Sequence, residues 1–200
     1  MMRAIVLAAG LSSRMGTQKL LLPFGGATVI GHIVDQLLGS ALDEVVVVVG
    51  HEGERVAEAV ASRHMRVVTN PDYADGMLST VRCGLRALGP CDGILVALGD
   101  QPAITSALVD ELVGAFARVG KGILVPLQGG RRGHPILFAD RYRDEVLTRY
   151  DDVGLRGLLS AHADDVCELA VSSAAVLSDM DYPEDYQREL ARLREGTTPT

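Results

Sequence analysis

The chain has 200 residues, 48% of them hydrophobic and 22% charged, which suits one globular domain with a full core. Twenty-six acidic against nineteen basic residues give a formal net charge of −7, which excludes general nucleic-acid binding, since that needs a basic surface to displace counterions from phosphate. No apolar run reaches the roughly 18 residues of a membrane span, and Arg3 with the short apolar run behind it does not make a secretory leader, so a cytoplasmic location is expected.

Strand-like runs alternate with helical patterns. Arg3–Ala8 is a short continuous apolar run, as expected of a strand covered on both faces. Thr28–Ser40 repeats Val29, Ile30, Ile33, Val34, Leu37 and Leu38 at helical period, and Glu44–Gly50 (EVVVVVG) is the clearest buried strand. Glu54–Arg63 predicts a helix, Met65–Thr69 a strand, Leu78–Leu88 a second crossover helix, Gly93–Leu98 another buried strand and Ser106–Arg118 a helix. Such alternation predicts an α/β fold, a mostly parallel sheet with helices on both faces. Beyond Lys121 the pattern loosens. Gly122–Val125 and Pro135–Phe138 read as strands flanking a polar connection, PLQGGRRGH; short helices follow at Tyr142–Arg149 and Leu155–Ala161. Val166–Ala170 and Ala175–Leu177 read as strands and Pro183–Arg194 as a charged helix. With no repeat or linker, residues 1–195 are expected to form a single domain, followed by a frayed tail from Gly196 to Thr200. Cys83, Cys91 and Cys167 are odd in number and lack metal-like spacing; they read as free, buried thiols.

The stretch LAAGLSSRMGTQK, Leu7–Lys19, begins where the first apolar run stops. Open α/β sheets bind ligands beyond the carboxyl ends of their strands, and this loop lies at such an end. Gly10 and Gly16 permit positive φ, so backbone N–H groups can form a nest for phosphate; Arg14 adds a forked donor and Lys19 a compact cation. The P-loop pattern is not met, because Thr17 and Gln18 stand between Gly16 and Lys19, and the dinucleotide fingerprint G-x-G-x-x-G is absent. An ordinary connection with two surface cations is the competing reading. Asp100, in ALGDQP, follows the buried strand Gly93–Leu98 and so falls at the same edge. A carboxylate beside a phosphate nest calls for a cation between them, with Mg²⁺ the usual choice; a turn or a helix cap is the alternative. Asp179 and Asp181, in SDMDYPED, share one side of an extended chain and could complete that metal site, whereas Glu184 and Asp185 read as caps of the last helix.

In their order along the chain, LAAGLSSRMGTQKLLLPFGG, NPDYADGM, LGDQP, RRGHPILF and DMDYPEDY resemble the molybdenum cofactor cytidylyltransferases, within the molybdopterin nucleotidyltransferases. The resemblance runs from Arg3 to Tyr186. It implies a Rossmann-like, three-layer nucleotidyltransferase fold and the transfer of CMP from CTP to molybdopterin-bound molybdenum, with release of pyrophosphate. Carried over, Leu7, Ala8, Ala9, Gly10, Ser12, Ser13, Arg14, Met15, Gly16 and Lys19 would hold the nucleotide, and Lys19, Arg14 and Asp100 would be catalytic. Asp100 and Asp181 would bind Mg²⁺, and Asn70, Gly76 and Ser79 would add nucleotide contacts. The run Gly76-Met77-Leu78-Ser79-Thr80 departs from the serine-rich run of relatives. Gly133-His134-Pro135, with Arg131 or Arg132 from a polar flap, matches the pterin-side segment. Guanine-using relatives carry glycine where Ala9 stands, which implies CTP over GTP. A molybdoenzyme or its chaperone is the implied protein partner, with no nucleic acid or membrane. A nucleotidyltransferase for another acceptor, such as a sugar phosphate, and a non-catalytic cofactor-binding maturation factor are the rivals; an NAD-dependent oxidoreductase is weakened by the missing fingerprint.

Overall fold

Strand β1, Met2–Ala8, sits at the centre of the molecule, because its side chains are apolar on both faces. Ala4, Val6 and Ala8 enter one core and Ile5 the opposite one, the period-2 alternation of a strand with a layer on each side. The computed structural model describes residues 1–196; residues 197–200, most of the expected frayed tail, lie outside the described residues.

Pro23–Phe24 (β2) and Ala27–Thr28 (β3) make a two-residue ribbon that leads into helix α1, Val29–Leu38, capped by the Thr28 side chain on Gly31 N. Then come β4 (Glu44–Val49), α2 (Gly53–Val60), β5 (Arg66–Thr69), α3 (Met77–Ala87), β6 (Gly93–Leu98) and α4 (Ser106–Val119). The remaining elements are β7 (Ile123–Gln128), β8 (Arg131–Arg132), β9 (Ile136–Ala139), α5 (Arg143–Thr148), α6 (Leu155–Ala161), β10 (Val166–Ala170) and α7 (Pro183–Gly196). The main sheet runs β10-β7-β9-β6-β1-β4-β5, with β8 paired to β7. β1 lies parallel to both β4 and β6, in register Leu7↔Val48 and Leu7↔Leu98, so all three strands end at the same edge. α1, α2 and α4 cover one face; α3, α5 and α6 cover the other. Rossmann-like α/β layering is therefore what the structure has, and the sheet is mixed because β9 runs antiparallel to both β6 and β7. Among the described residues no helix is long and apolar enough to cross a membrane.

Three expectations change. Ala175–Leu177 is a turn of 3-10 helix, Ala174–Leu177, started by the Ser173 hydroxyl on Ala175 N; Ala175 and Val176 are buried, and so short an apolar run cannot by itself distinguish a turn from a strand. The polar connection after β7 is a hairpin, with Gly129 (φ +56°) and Gly130 (φ +77°) in the left-handed region that a tight β-turn requires. The three cysteines carry no disulfide and are half-buried rather than buried.

Candidate active site

The loop after β1 is held from beneath by a buried amide. Gln18 is 3% exposed; its Nε2 donates to Gly10 O (3.4 Å) and His51 O (3.3 Å), while its Oε1 accepts from the Ser12 hydroxyl (2.8 Å). Ser12 Oγ in turn accepts from Lys19 N at 3.3 Å. The left-handed positions are Ser12 (φ +51°) and Gly16 (φ +66°), not Gly10 as expected; a Cβ on Gly10 would meet no protein atom within 4 Å. Backbone acceptors meet none of the amides of Gly10, Leu11, Ser13 and Arg14 among the described residues, so this loop keeps several donors unspent.

β6 delivers the opposing charge. Gly99 N donates to Leu7 O at 3.0 Å, and a Cβ on Gly99 would fall 2.7 Å from that oxygen, so only glycine lets the chain hug β1 and present Asp100. Lys19 Nζ donates to Asp100 Oδ2 (2.5 Å), Asp181 Oδ1 (3.2 Å) and the carbonyl of Met180 (2.8 Å). Arg14 Nη1 donates to Asp181 Oδ2 (2.8 Å) and its guanidinium stands over the Tyr182 ring. Burial pushes the Asp100 carboxyl above its usual range, against the pull of Lys19. Burial lowers Lys19 as well, but Asp100 and Asp181 together outweigh it, so the ammonium lies above its ordinary value. Asp185 Oδ2 accepts from Asp181 N and Tyr182 N, which caps α7 and leaves the Asp181 carboxylate to the cations.

These groups line a cleft of about 510 Å³. It gathers Leu7, Ala9, Gly10, Ser12, Ser13, Arg14, Met15, Lys19, Gly76, Asp100 and Asp181 from the expected residues. Ala8 and Gly16 support it without lining it. Asn70 and Ser79 fold the neighbouring loop instead: Asn70, 2% exposed, donates through Nδ2 to Ser79 Oγ (2.9 Å) and Thr80 Oγ1 (3.2 Å) and accepts from Asp72 N (3.0 Å). Thr80, Tyr73 and Met77 reach the cleft in their place, together with Leu11, Leu98 and the expected Asp179; for the apolar and aromatic ones the sequence signal is faint, since Leu98 reads as core of β6 and Met77 as the start of a helix. Asp179 shares the cleft with Asp100 and Asp181, but its Oδ1 accepts from Gln101 Nε2 at 2.6 Å where Asp100 and Asp181 accept from Lys19. Neither Arg132 nor His134 lines the cleft. Arg132 Nε donates to Glu168 Oε1 of β10 at 2.6 Å. His134 N donates to Val176 O at 2.9 Å, and burial holds its imidazole below the ordinary range.

A Rossmann-like sheet with a donor-rich loop and two cations after β1, one carboxylate after β6 and a second just before α7 has the form of a nucleotidyltransferase site. The profile of the MobA-like NTP transferase domain matches residues 4–166, and the chain belongs to that family. Over 183 residues it is 28% identical to the molybdenum cofactor cytidylyltransferase of Escherichia coli (strain K12), spanning 91% of this chain and 92% of that one. It is also 32% identical over 162 residues to nicotine blue oxidoreductase of Paenarthrobacter nicotinovorans, 78% of this chain and 79% of that one. Among solved structures, a nucleotidyl transferase from Methanothermobacter thermautotrophicus superposes with a TM-score of 0.86 at 28% identity, covering 98% of this chain and 99% of the other. The manganese complex of Rv0371c from Mycobacterium tuberculosis H37Rv gives 0.80 at 29% identity, covering 95% and 98%. Family and fold thus agree with the resemblance read from the motifs.

Proposed function

We propose that this chain transfers CMP from CTP to the terminal phosphate of molybdopterin-bound molybdenum cofactor, with Mg²⁺ as the metal. The observation that carries the reading is the convergence of Lys19, Arg14, Asp100 and Asp181 beside a loop with unspent amides. Likeness to the Escherichia coli cytidylyltransferase over nearly the whole chain supports the choice of nucleotide and acceptor. Among the described residues no group of three or more His, Cys, Asp or Glu side chains forms a metal cage. The pair Asp100 and Asp181 nevertheless suits Mg²⁺, which is held by one or two carboxylates and completed by substrate phosphates and water. Both already face one cation, the Lys19 ammonium. Held by Asp100 and Asp181, the metal would supply positive charge that offsets the negative charge of the phosphates.

An acceptor phosphate oxygen forms the new bond to the α-phosphorus of CTP, the bond to the bridging oxygen breaks, and pyrophosphate leaves with that electron pair. No side-chain nucleophile is needed, and His134 need not act as a base because the attacking phosphate is already ionised. Lys19, Arg14 and the loop amides hold the triphosphate and stabilise charge on the departing pyrophosphate. Ala9 is 4% exposed, and a Cβ on Gly50 would come within 2.8 Å of its methyl, so the methyl is set partly against Gly50. Preference for CTP over GTP is therefore expected to be modest, about 10–200-fold.

The test is pyrophosphate release with loaded molybdopterin, CTP and Mg²⁺, run beside GTP and beside sugar phosphates. Asp100→Asn should lower turnover by about two orders of magnitude or more while the chain stays folded. Release with a sugar phosphate alone would replace the acceptor. No release with any acceptor would favour a cofactor carrier that serves a molybdoenzyme or its chaperone.

A further inference from the structure

Lys19 has three ammonium protons and spends all of them on Asp100 Oδ2, Asp181 Oδ1 and Met180 O, so none is left for a phosphate. The two oxygens of Asp181 face one cation each, Oδ1 towards Lys19 and Oδ2 towards Arg14. Both cations come from the glycine loop, while Asp181 lies 162 and 167 residues further along, so these bonds pin the loop to the C-terminal segment. We propose that Lys19 and Arg14 are resident counter-ions of the two carboxylates, and that nucleotide and divalent metal enter by an exchange of partners. The triphosphate takes the two cations, and the metal takes Asp100 and Asp181. This rests on the reading of Asp100 and Asp181 as the metal carboxylates.

The carboxylate half of the latch is anchored without help from the cations. Met180 N donates to Asp100 O at 3.1 Å, Gln101 Nε2 holds Asp179, and Asp185 caps the Asp181 and Tyr182 amides. Only Lys19, on a flexible stem, and the exposed Arg14 have to move. Charge then makes each ligand the condition of the other. The two bases are paired with Asp100 and Asp181, while Asp179 in the same cleft is held by the neutral Gln101 amide, so a metal ion alone meets an ammonium in contact with its own ligands. A triphosphate alone removes the cations and leaves two buried or half-buried carboxylates facing its own charge. Bound together, the two ligands satisfy every group, and the coupling is reciprocal.

Mn²⁺ is the probe, since its free-ion electron paramagnetic resonance signal falls on binding and no turnover is required. The full chain should bind Mn²⁺ weakly alone and about tenfold or more tightly with a CTP analogue that carries a methylene bridge between the α- and β-phosphorus, within the usual range of coupling between sites. Lys19→Met should bind Mn²⁺ alone about tenfold more tightly than wild type, because the competing ammonium is gone. Lys19→Arg keeps the charge and should not. Arg14→Gln, at an exposed position that does not threaten folding, should give a smaller gain of the same sign. Adding Asp100→Asn should abolish the gain. A Lys19→Met chain with unchanged or weaker Mn²⁺ affinity overturns the exchange, as does wild-type affinity insensitive to the analogue. Mn²⁺ binding that survives Asp100→Asn unaltered overturns both the exchange and the metal assignment. Failure of the cytidylyltransferase reading shows separately, as absent pyrophosphate release from a wild type whose Mn²⁺ and analogue binding remain coupled.

Discussion

Gln18 carries no charge and touches no proposed substrate, yet three of its contacts set the shape of the phosphate loop. A buried amide that loses such bonds leaves Gly10 O and His51 O without their donor, at about 1–2 kcal/mol. Gln18→Ala should therefore raise the KM for CTP by roughly 5–30-fold, with a smaller effect on kcat, because Lys19 and Asp100 remain in place. A fall in kcat with KM for CTP unchanged would show that the loop does not depend on this amide. Lys19, Arg14 and Asp100 were legible in the sequence because charge at the ends of buried strands is a local signal. Gln18, Asn70 and Gln101 were not. An amide has no preferred partner until other elements bring one, so Asn70 reads as a nucleotide contact in the sequence and proves to be the post on which its loop is folded. The cleft-facing role expected of Ser79 falls instead to Thr80, one position on and so on another face of α3.

At the scale of elements, β1, β4 and β6 could be read directly because two-sided burial writes continuous apolar runs into the sequence. The direction of β9 could not be read, since antiparallel pairing leaves no mark on a four-residue apolar strand. The hairpin β7–β8 bears on the acceptor. It separates two residues that stand close in sequence: Arg132 is held outward by Glu168, whereas His134 turns back towards Val176 and shares the electrostatic surroundings of Asp179 and Arg156. If the segment serves the acceptor, His134→Ala should raise the KM for molybdopterin several-fold and leave that for CTP unchanged. Arg132→Ala should do less, because its guanidinium is already paired, and an exposed pair of this kind contributes at most about 1 kcal/mol. Glu168→Gln should release Arg132 and lower the acceptor KM. Equal acceptor effects from His134→Ala and Arg132→Ala, with Glu168→Gln silent, would refute this division.

Over the whole molecule, the response of stability to acid comes from groups in different helices and connections of the fold. His32 on α1 packs edge-on against Phe24 with ring centroids 4.9 Å apart, and burial holds it below the ordinary histidine value of 6.5, against Asp35 and the Pro102 carbonyl. Burial does the same to His134. A histidine with a lowered folded pKa binds fewer protons folded than unfolded, so stability falls as the pH drops through 6.5 towards the folded value. Carboxylates act later. Asp165, hydrogen-bonded by Tyr142 and Arg141, is held down to about 2, so its contribution is complete above 3.8 and is lost only as the pH approaches about 2. Asp100 opposes both trends, because its burial raises its pKa and protonation on acidification relieves a buried charge. Lys19, whose pKa is raised, stabilises throughout this range and fades only above 10.5. The expected result is a melting temperature that declines from about pH 7.5 to about 5.5, before the carboxylates titrate, by about 2–4 °C for each kcal/mol lost. Replacing both histidines, His32→Gln with His134→Asn, should flatten that decline while leaving the steeper loss at lower pH. A wild-type melting temperature that does not change across the window, or an equal slope in the double variant, would place the acid sensitivity elsewhere in the fold.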